Sequence, residues 1–116
     1  MLFIEYPKCS TCIKAKNWLL DNNVEFISRH IKEEKPTLEE LKNWYKLSSL
    51  PIKKLFNTSG LLYKELNLKD KLDLMSDEEK LKLLATDGML VKRPVLVTNS
   101  KVVFGFKEDI WKDLIK

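Results

Sequence analysis

Apolar residues follow two periodicities along this 116-residue chain, and the places where one gives way to the other mark the elements. Leu2-Phe3-Ile4-Glu5-Tyr6 is a short, nearly continuous apolar run, the pattern of a buried strand. Pro7-Lys8 predicts a turn. From Ser10 to Asp21 the spacing becomes helical, with Ile13, Ala15, Trp18, Leu19 and Leu20 on the apolar side and Lys14, Lys16 and Asn17 on the wet side. Asp21-Asn22-Asn23 predicts a stop, and Val24 to Ile31 a second strand. So compact a strand-helix-strand unit predicts parallel strands joined by a right-handed crossover.

Between Pro36 and Gly88 the punctuation is helical. Thr37 with Glu40, and Ser76 with Glu79, each fit a reciprocal capping box and predict two helix starts. Leu38, Leu41, Trp44 and Tyr45 give the first helix its buried face, and Leu81, Leu84 and Ala85 the second, before Asp87-Gly88 ends it. Asn57-Thr58-Ser59-Gly60 predicts a turn and cap, followed by a short helix through Leu61, Leu62, Tyr63 and Leu66. Two strands return at Val95-Leu96-Val97-Thr98 and Lys101-Val102-Val103-Phe104, separated by Asn99-Ser100 as in a tight hairpin. Gly105 breaks the second strand. Lys107 to Ile115 predicts a closing helix with Ile110, Trp111, Leu114 and Ile115 inward. The expected architecture is α/β: strand-helix-strand, a helical insert over about residues 36–88, a hairpin and a helix, forming one domain over 1–116 around a mixed four-stranded sheet.

Composition narrows the function classes. Apolar residues make up 44% and charged residues 33%, with three glycines, four prolines and no low-complexity tract or repeat, which is a globular balance. The formal net charge of +4 comes from lysines interleaved with acids, as in Lys32-Glu33-Glu34-Lys35, so it predicts solvated surface and no direct nucleic-acid binding. No apolar run approaches 18 residues, and the first residues lack the basic start of a signal peptide. A cytoplasmic protein without membrane association is expected. In that compartment thiols are kept reduced.

Cys9 and Cys12 are the only cysteines, and they frame Cys9-Ser10-Thr11-Cys12 where the first strand gives way to the first helix. A thiolate at that junction meets unpaired first-turn N–H groups and the positive end of the helix dipole. Since the thiolate is the nucleophile, a pKa drawn down from about 8.5 arms the residue at neutral pH; Lys8 adds charge of the helpful sign. Three blander readings compete. Zinc needs four ligands, or three and a water, and the single histidine, His30, is remote in sequence, so no metal is expected. A structural bridge across so small a loop would constrain the unfolded chain little. Two inert buried cysteines are the last alternative. The strand-turn-helix context favours thiol redox chemistry.

A second candidate element is Leu90-Val91-Lys92-Arg93-Pro94-Val95. Pro94 stands at the mouth of a strand, where its missing N–H is tolerated. Arg93 carries a planar, permanently charged fork suited to a thiolate or oxyanion, or else pairs with a surface carboxylate.

These residues together resemble the arsenate-reductase-like branch of the thioredoxin superfamily, which includes ArsC-type reductases and the Spx- and MgsR-type redox regulators. The resemblance runs almost end to end. It rests on Tyr6-Pro7-Lys8-Cys9-Ser10-Thr11-Cys12 with Lys14-Ala15-Lys16 and Trp18, and on Phe56-Asn57-Thr58-Ser59-Gly60 with Tyr63-Lys64-Glu65-Leu66. Asp87-Gly88-Met89-Leu90, Lys92-Arg93-Pro94 and Val103-Phe104-Gly105-Phe106-Lys107-Glu108-Asp109 complete it. It implies a thioredoxin-like fold, a nucleophilic Cys9, and Arg93-Pro94 facing it through a cis bond.

The resemblance also implies catalytic roles for Cys9, Cys12 and Arg93, with Lys8, Ser10, Thr11, Asn57 and Pro94 at the substrate. Arsenate-reducing members hold their oxyanion with several arginines. Here only Arg93 matches; Asn57 and Phe106 stand at the other arginine positions, and Glu5 where a histidine is found. Glutathione-coupled members typically lack a cysteine at the position of Cys12, so this chain carries its own resolving thiol. The expected activity is thiol-disulfide oxidoreduction, with arsenate reduction as one form of it. No bound cofactor is implied, only an external reductant: glutaredoxin, thioredoxin or a low-molecular-weight thiol. The alternative is a redox-sensing regulator that docks on the RNA polymerase α subunit, although the glycine at that contact in such regulators aligns with Pro51.

Overall fold

The computed structural model describes residues 1–115. Its strands are β1 (Leu2–Glu5), β2 (Ile27–His30), β3 (Val95–Val97) and β4 (Val102–Phe104). Helix α1 (Ser10–Asp21) links β1 to β2, and α2 (Leu38–Ser48), α3 (Leu61–Glu65), α4 (Leu68–Lys71) and α5 (Asp77–Leu84) lie between β2 and β3. Helix α6 (Glu108–Leu114) closes the chain, and short 3-10 turns occupy Ile52–Leu55, Leu72–Leu74 and Gly88–Leu90. The sheet order is β2-β1-β3-β4, with β1 parallel to β2 and the other pairs antiparallel. This is the mixed four-stranded α/β sheet that the pattern predicted. No helix among the described residues is long and apolar enough to cross a membrane.

Strand alternation explains why β1 reads as a continuous apolar run. Phe3 joins Leu96 and Val103 on one face, under Ala15 and Leu19 of α1 and Trp111 of α6. Ile4 joins Val95, Val102 and Phe104 on the other, under Leu41 and Trp44 of α2, Leu81 and Leu84 of α5 and the residues between them. Both faces are covered, so neither set of positions can be polar. Glu5 ends β1 on the α1 side, buried, with Lys16 Nζ 3.3 Å from its Oε2 and Ser28 Oγ donating to the same atom at 3.0 Å.

Both capping boxes form as predicted: Thr37 accepts from the Glu40 N–H and Ser76 from the Glu79 N–H, and each glutamate accepts from the cap residue's own N–H. Glu40 also ties α2 to β2, since Arg29 binds both of its carboxylate oxygens, at 2.6 and 2.9 Å. Three expectations shift. Helix α1 buries Cys12, Ala15 and Leu19, while Ile13 and Leu20 are exposed, because at about 100° per residue they lie one step off the buried stripe. Ile110 is exposed on α6 for the same reason, beside the buried Trp111. The second strand is shorter than Val24–Ile31: as an edge strand it pairs only with β1, from Ile27 to His30, and Val24 and Phe26 pack against the α1 core outside the ladder.

Candidate active site

The site is built where β1 runs out. Cys9 N–H donates to Tyr6 O at 2.9 Å, closing the Tyr6-Pro7-Lys8-Cys9 turn, and the Ile13 N–H donates back to Cys9 O at 3.0 Å as the first bond of α1. Cys9 is thus the N-cap of α1, in extended backbone conformation. Cys12 lies one turn further along, fully buried, and both thiols are free.

Arg93 arrives from the strand beside β1. The β1–β3 register pairs Ile4 with Val95, so the residue before Pro94 comes level with Tyr6. The Arg93–Pro94 bond is cis, and the Pro94 carbonyl accepts from the Gly105 N–H at 2.8 Å. The segment leading to Arg93 is held by the insert: the Asn57 N–H donates to Leu90 O and the Lys92 N–H to Leu55 O, each at 2.8 Å, around a Phe56–Val91 bridge. Gly88 lets this segment press on the end of β2, for a Cβ there would stand 1.8 Å from Ile31 O.

The two sulfurs titrate in opposite senses. Partial burial pushes the Cys9 thiol up, but the Cys12 backbone N–H, the Arg93 guanidinium and the Cys12 thiol all favour the thiolate, and together they bring its pKa below the ordinary value. Burial is also the leading influence on Cys12; the negative charge at Cys9 adds to it, and the thiol is pushed up to about 12 despite the Tyr6 backbone and Arg93. No carboxylate competes with Cys9 for Arg93: among the described residues none lies within 4.0 Å of it; its neighbours are the Tyr6 ring and the Met89 sulfur.

Not every expected site residue gathers at the sulfurs. Arg93 and Asn57 line a cleft of about 430 Å³ with Lys32, Ser59, Asp87 and Met89, which neither cysteine lines. Asn57 is buried there, and Pro94 is buried behind Arg93. Ser10 and Thr11 are exposed in the first turn of α1. Lys8 is exposed on a second hollow of about 290 Å³ with Tyr6, Pro7, His30, Lys32 and Glu33. It is not among the groups that lower Cys9, as expected of a cation whose charge is spent on water. Phe106, at an expected arginine position, packs against Trp18 and Trp111. Among the described residues no three His, Cys, Asp or Glu side chains gather as a metal site would require.

Sequence reasoning gave no role to Tyr6, Met89 or Lys32. Tyr6 carried one usable signal, its position next to the turn that presents Cys9. Met89 stands in a segment that carries the resemblance but has no role assigned by it, and Lys32 carries no signal, since their place at the site depends on how the segment after Gly88 meets β2.

Comparison with known proteins places the chain in a family. Residues 4–114 match the ArsC family. The chain is 53% identical over 113 residues to YusI of Bacillus subtilis (strain 168), a protein of uncharacterised function, covering 97% of this chain and 96% of that one. It is 39% identical to the regulatory protein MgsR of the same organism, over 91% of this chain and 82% of that one. A crystal structure of an ArsC family related protein from Bacteroides fragilis superposes with a TM-score of 0.96 at 57% identity, covering 97% and 95% of the two chains. Similar proteins include some described as arsenate reductases and others described as transcriptional regulators. By its sequence and its fold, the chain belongs to the ArsC family of thioredoxin-like proteins.

Proposed function

We propose that this chain is a thiol-disulfide oxidoreductase with Cys9 as nucleophile and Cys12 as resolving thiol. The observation that carries the reading is the arrangement of the two sulfurs: Cys9 caps α1, partly exposed and favoured as thiolate by Arg93, while Cys12 lies buried one turn deeper. The Cys9 thiolate attacks one sulfur of a disulfide, forms a mixed disulfide and expels the other half as a thiolate. Cys12 then loses its proton and displaces the bound half from Cys9. A Cys9–Cys12 disulfide forms, and two electrons have passed from the protein to the substrate. A thiol reductant such as glutaredoxin, thioredoxin or a small thiol returns them. Arg93 stabilises the attacking thiolate, and the exposed Ser10 and Thr11 of the first turn border the incoming substrate, with Lys8 at the rim; Asn57 lies in the cleft that neither cysteine lines, and Pro94 is buried behind Arg93.

A disulfide suits this site better than arsenate. Asn57 is neutral and Phe106 is engaged in aromatic packing, so one guanidinium is left for a dianion, and each absent charged hydrogen bond forfeits about 1.5–3 kcal/mol. Mass mapping of the sulfurs during turnover tests the scheme. Cys9→Ser abolishes reduction of a model disulfide and Cys12→Ser accumulates the mixed disulfide on Cys9; reduction that persists in Cys9→Ser refutes it.

The similarity to MgsR over 91% of the chain favours a second reading. In it the same dithiol is a sensor, and its oxidation state governs docking on the RNA polymerase α subunit. Co-purification with the α subunit that changes on oxidation supports the regulator. Saturable disulfide turnover without α-subunit binding supports the enzyme.

A further inference from the structure

Tyr6 stands between the site's cation and the chain's one histidine. Its ring face lies 5.0 Å from Arg93 Cζ. The His30 ring meets it edge to face, with centroids 5.7 Å apart and planes at 88°. His30 is itself fixed, because its Nδ1 accepts from the backbone N–H groups of Lys32 and Glu33, each at 3.2 Å. Strand register brings the three together: Glu5 pairs with His30 on one side of β1 and Ile4 with Val95 on the other, so Tyr6 emerges between the end of β2 and the start of β3.

Arg93 depends on this arrangement. Holding an arginine side chain in place costs rotamer entropy, and a carboxylate is its usual anchor. Arg93 has none within 4.0 Å among the described residues. Besides Cys9 and the Tyr6 ring, it approaches the Met89 sulfur, with Nη1 4.0 Å from Sδ. A ring face holds a guanidinium without neutralising its charge, and a carboxylate would not.

We propose that Tyr6 is a positioning residue for the thiol chemistry: its ring, steadied by His30, aims the Arg93 guanidinium at Cys9. The proposal rests on the dithiol reading above. Arg93 favours the Cys9 thiolate both as a hydrogen-bond donor and by its charge, so losing the aim weakens both effects. Other ionisable groups face the Tyr6 and His30 rings and the Arg93 guanidinium. Lys8, Lys32 and Glu33 border Tyr6 and His30, Lys32, Glu65 and Asp87 border Arg93 in the cleft, and Cys12 faces Cys9 from α1.

The test is the midpoint of the pH dependence of Cys9 alkylation in the reduced protein, with folding checked by circular dichroism. Tyr6→Phe keeps the ring face and keeps the wild-type midpoint. Tyr6→Leu raises it by about half a pH unit, a roughly threefold loss of thiolate below the midpoint. Arg93→Gln also raises it, and adding Tyr6→Leu to Arg93→Gln produces no further rise. An unchanged midpoint in Tyr6→Leu, or an equal rise when the arginine is already gone, overturns the proposal. Should Tyr6→Leu not fold, His30→Ala decides the matter: a smaller rise that requires Arg93 supports it, and no rise overturns it. A wild-type midpoint at the ordinary thiol value would instead defeat the dithiol reading itself.

Discussion

Cys9 caps α1 and Cys12 lies in its first turn, yet folding draws the first thiol down and pushes the second up to about 12. Near neutral pH, iodoacetamide should therefore label Cys9 and spare Cys12 in the folded, reduced protein, as read by peptide mass mapping. Equal labelling of both would contradict the assignment. The stability consequences have opposite signs. The lowered pKa of Cys9 contributes stability that is present above the unfolded thiol value of about 8.5 and lost as pH falls through the lowered pKa. The raised pKa of Cys12 contributes stability that is full below about 8.5 and lost as pH climbs toward its folded value. Cys12→Ala should accordingly lose less Tm than wild type between pH 8.5 and pH 10.5, roughly the window in which an unfolded thiol ionises and the buried one does not.

Glu40 closes the α2 capping box and receives both arms of Arg29. The Arg29 hydrogen bonds hold its carboxyl below the usual range, against the effect of partial burial and with help from Thr37. That contribution is present above the unfolded pKa of about 4.3 and is lost as pH falls through the lowered folded value. Glu40→Ala should cost about 1–2 kcal/mol in urea unfolding at neutral pH, most of it from the lost cap because the ion pair is partly screened. The gap to wild type should narrow in acid.

Gly88 has no room for a methyl group, since the added carbon would meet the Ile31 carbonyl. Gly88→Ala must push the Gly88–Leu90 turn away from β2 and should destabilise the fold by about 1–3 kcal/mol, as overpacking does. Because that turn leads directly to Arg93, the variant should also raise the Cys9 alkylation midpoint. A destabilised variant with an unmoved midpoint would show that the turn supports the fold without supporting the site.

Lys16 reaches from α1 to the buried Glu5 carboxylate, whose other partner is Ser28. Lys16→Met leaves that charge with one neutral donor and should cost about 1–3 kcal/mol of stability. Pairing it with Glu5→Gln should recover part of the loss, measured as non-additivity in a double-mutant cycle.

Much of the fold was legible because single residues declared it. Thr37 with Glu40 and Ser76 with Glu79 marked two helix starts that form as written, and Asn99-Ser100 marked a hairpin whose flanking Thr98 and Lys101 hydrogen-bond to each other. The dithiol was legible for the same reason, being local to one turn. What escaped depends on contacts between distant segments. The 3-10 turns at Ile52–Leu55 and Leu72–Leu74 have no period of their own, and Ile13 and Leu20 fall on the solvent side because apolar residue type alone cannot resolve a one-residue rotation of a helix. The hold of Tyr6 on Arg93 follows from register between β1 and β3, which no short window contains.

The depth at which Cys12 is sealed sets a one-way street for whatever reopens an oxidised centre. Only the outer sulfur can be reached by a visiting reductant, and striking it must eject the inner one, a poor leaving group in so dry a setting. The locked form should therefore outlast the oxidant that made it until a partner shaped to this rim arrives, which gives the molecule a chemical memory whether it serves as catalyst or as switch.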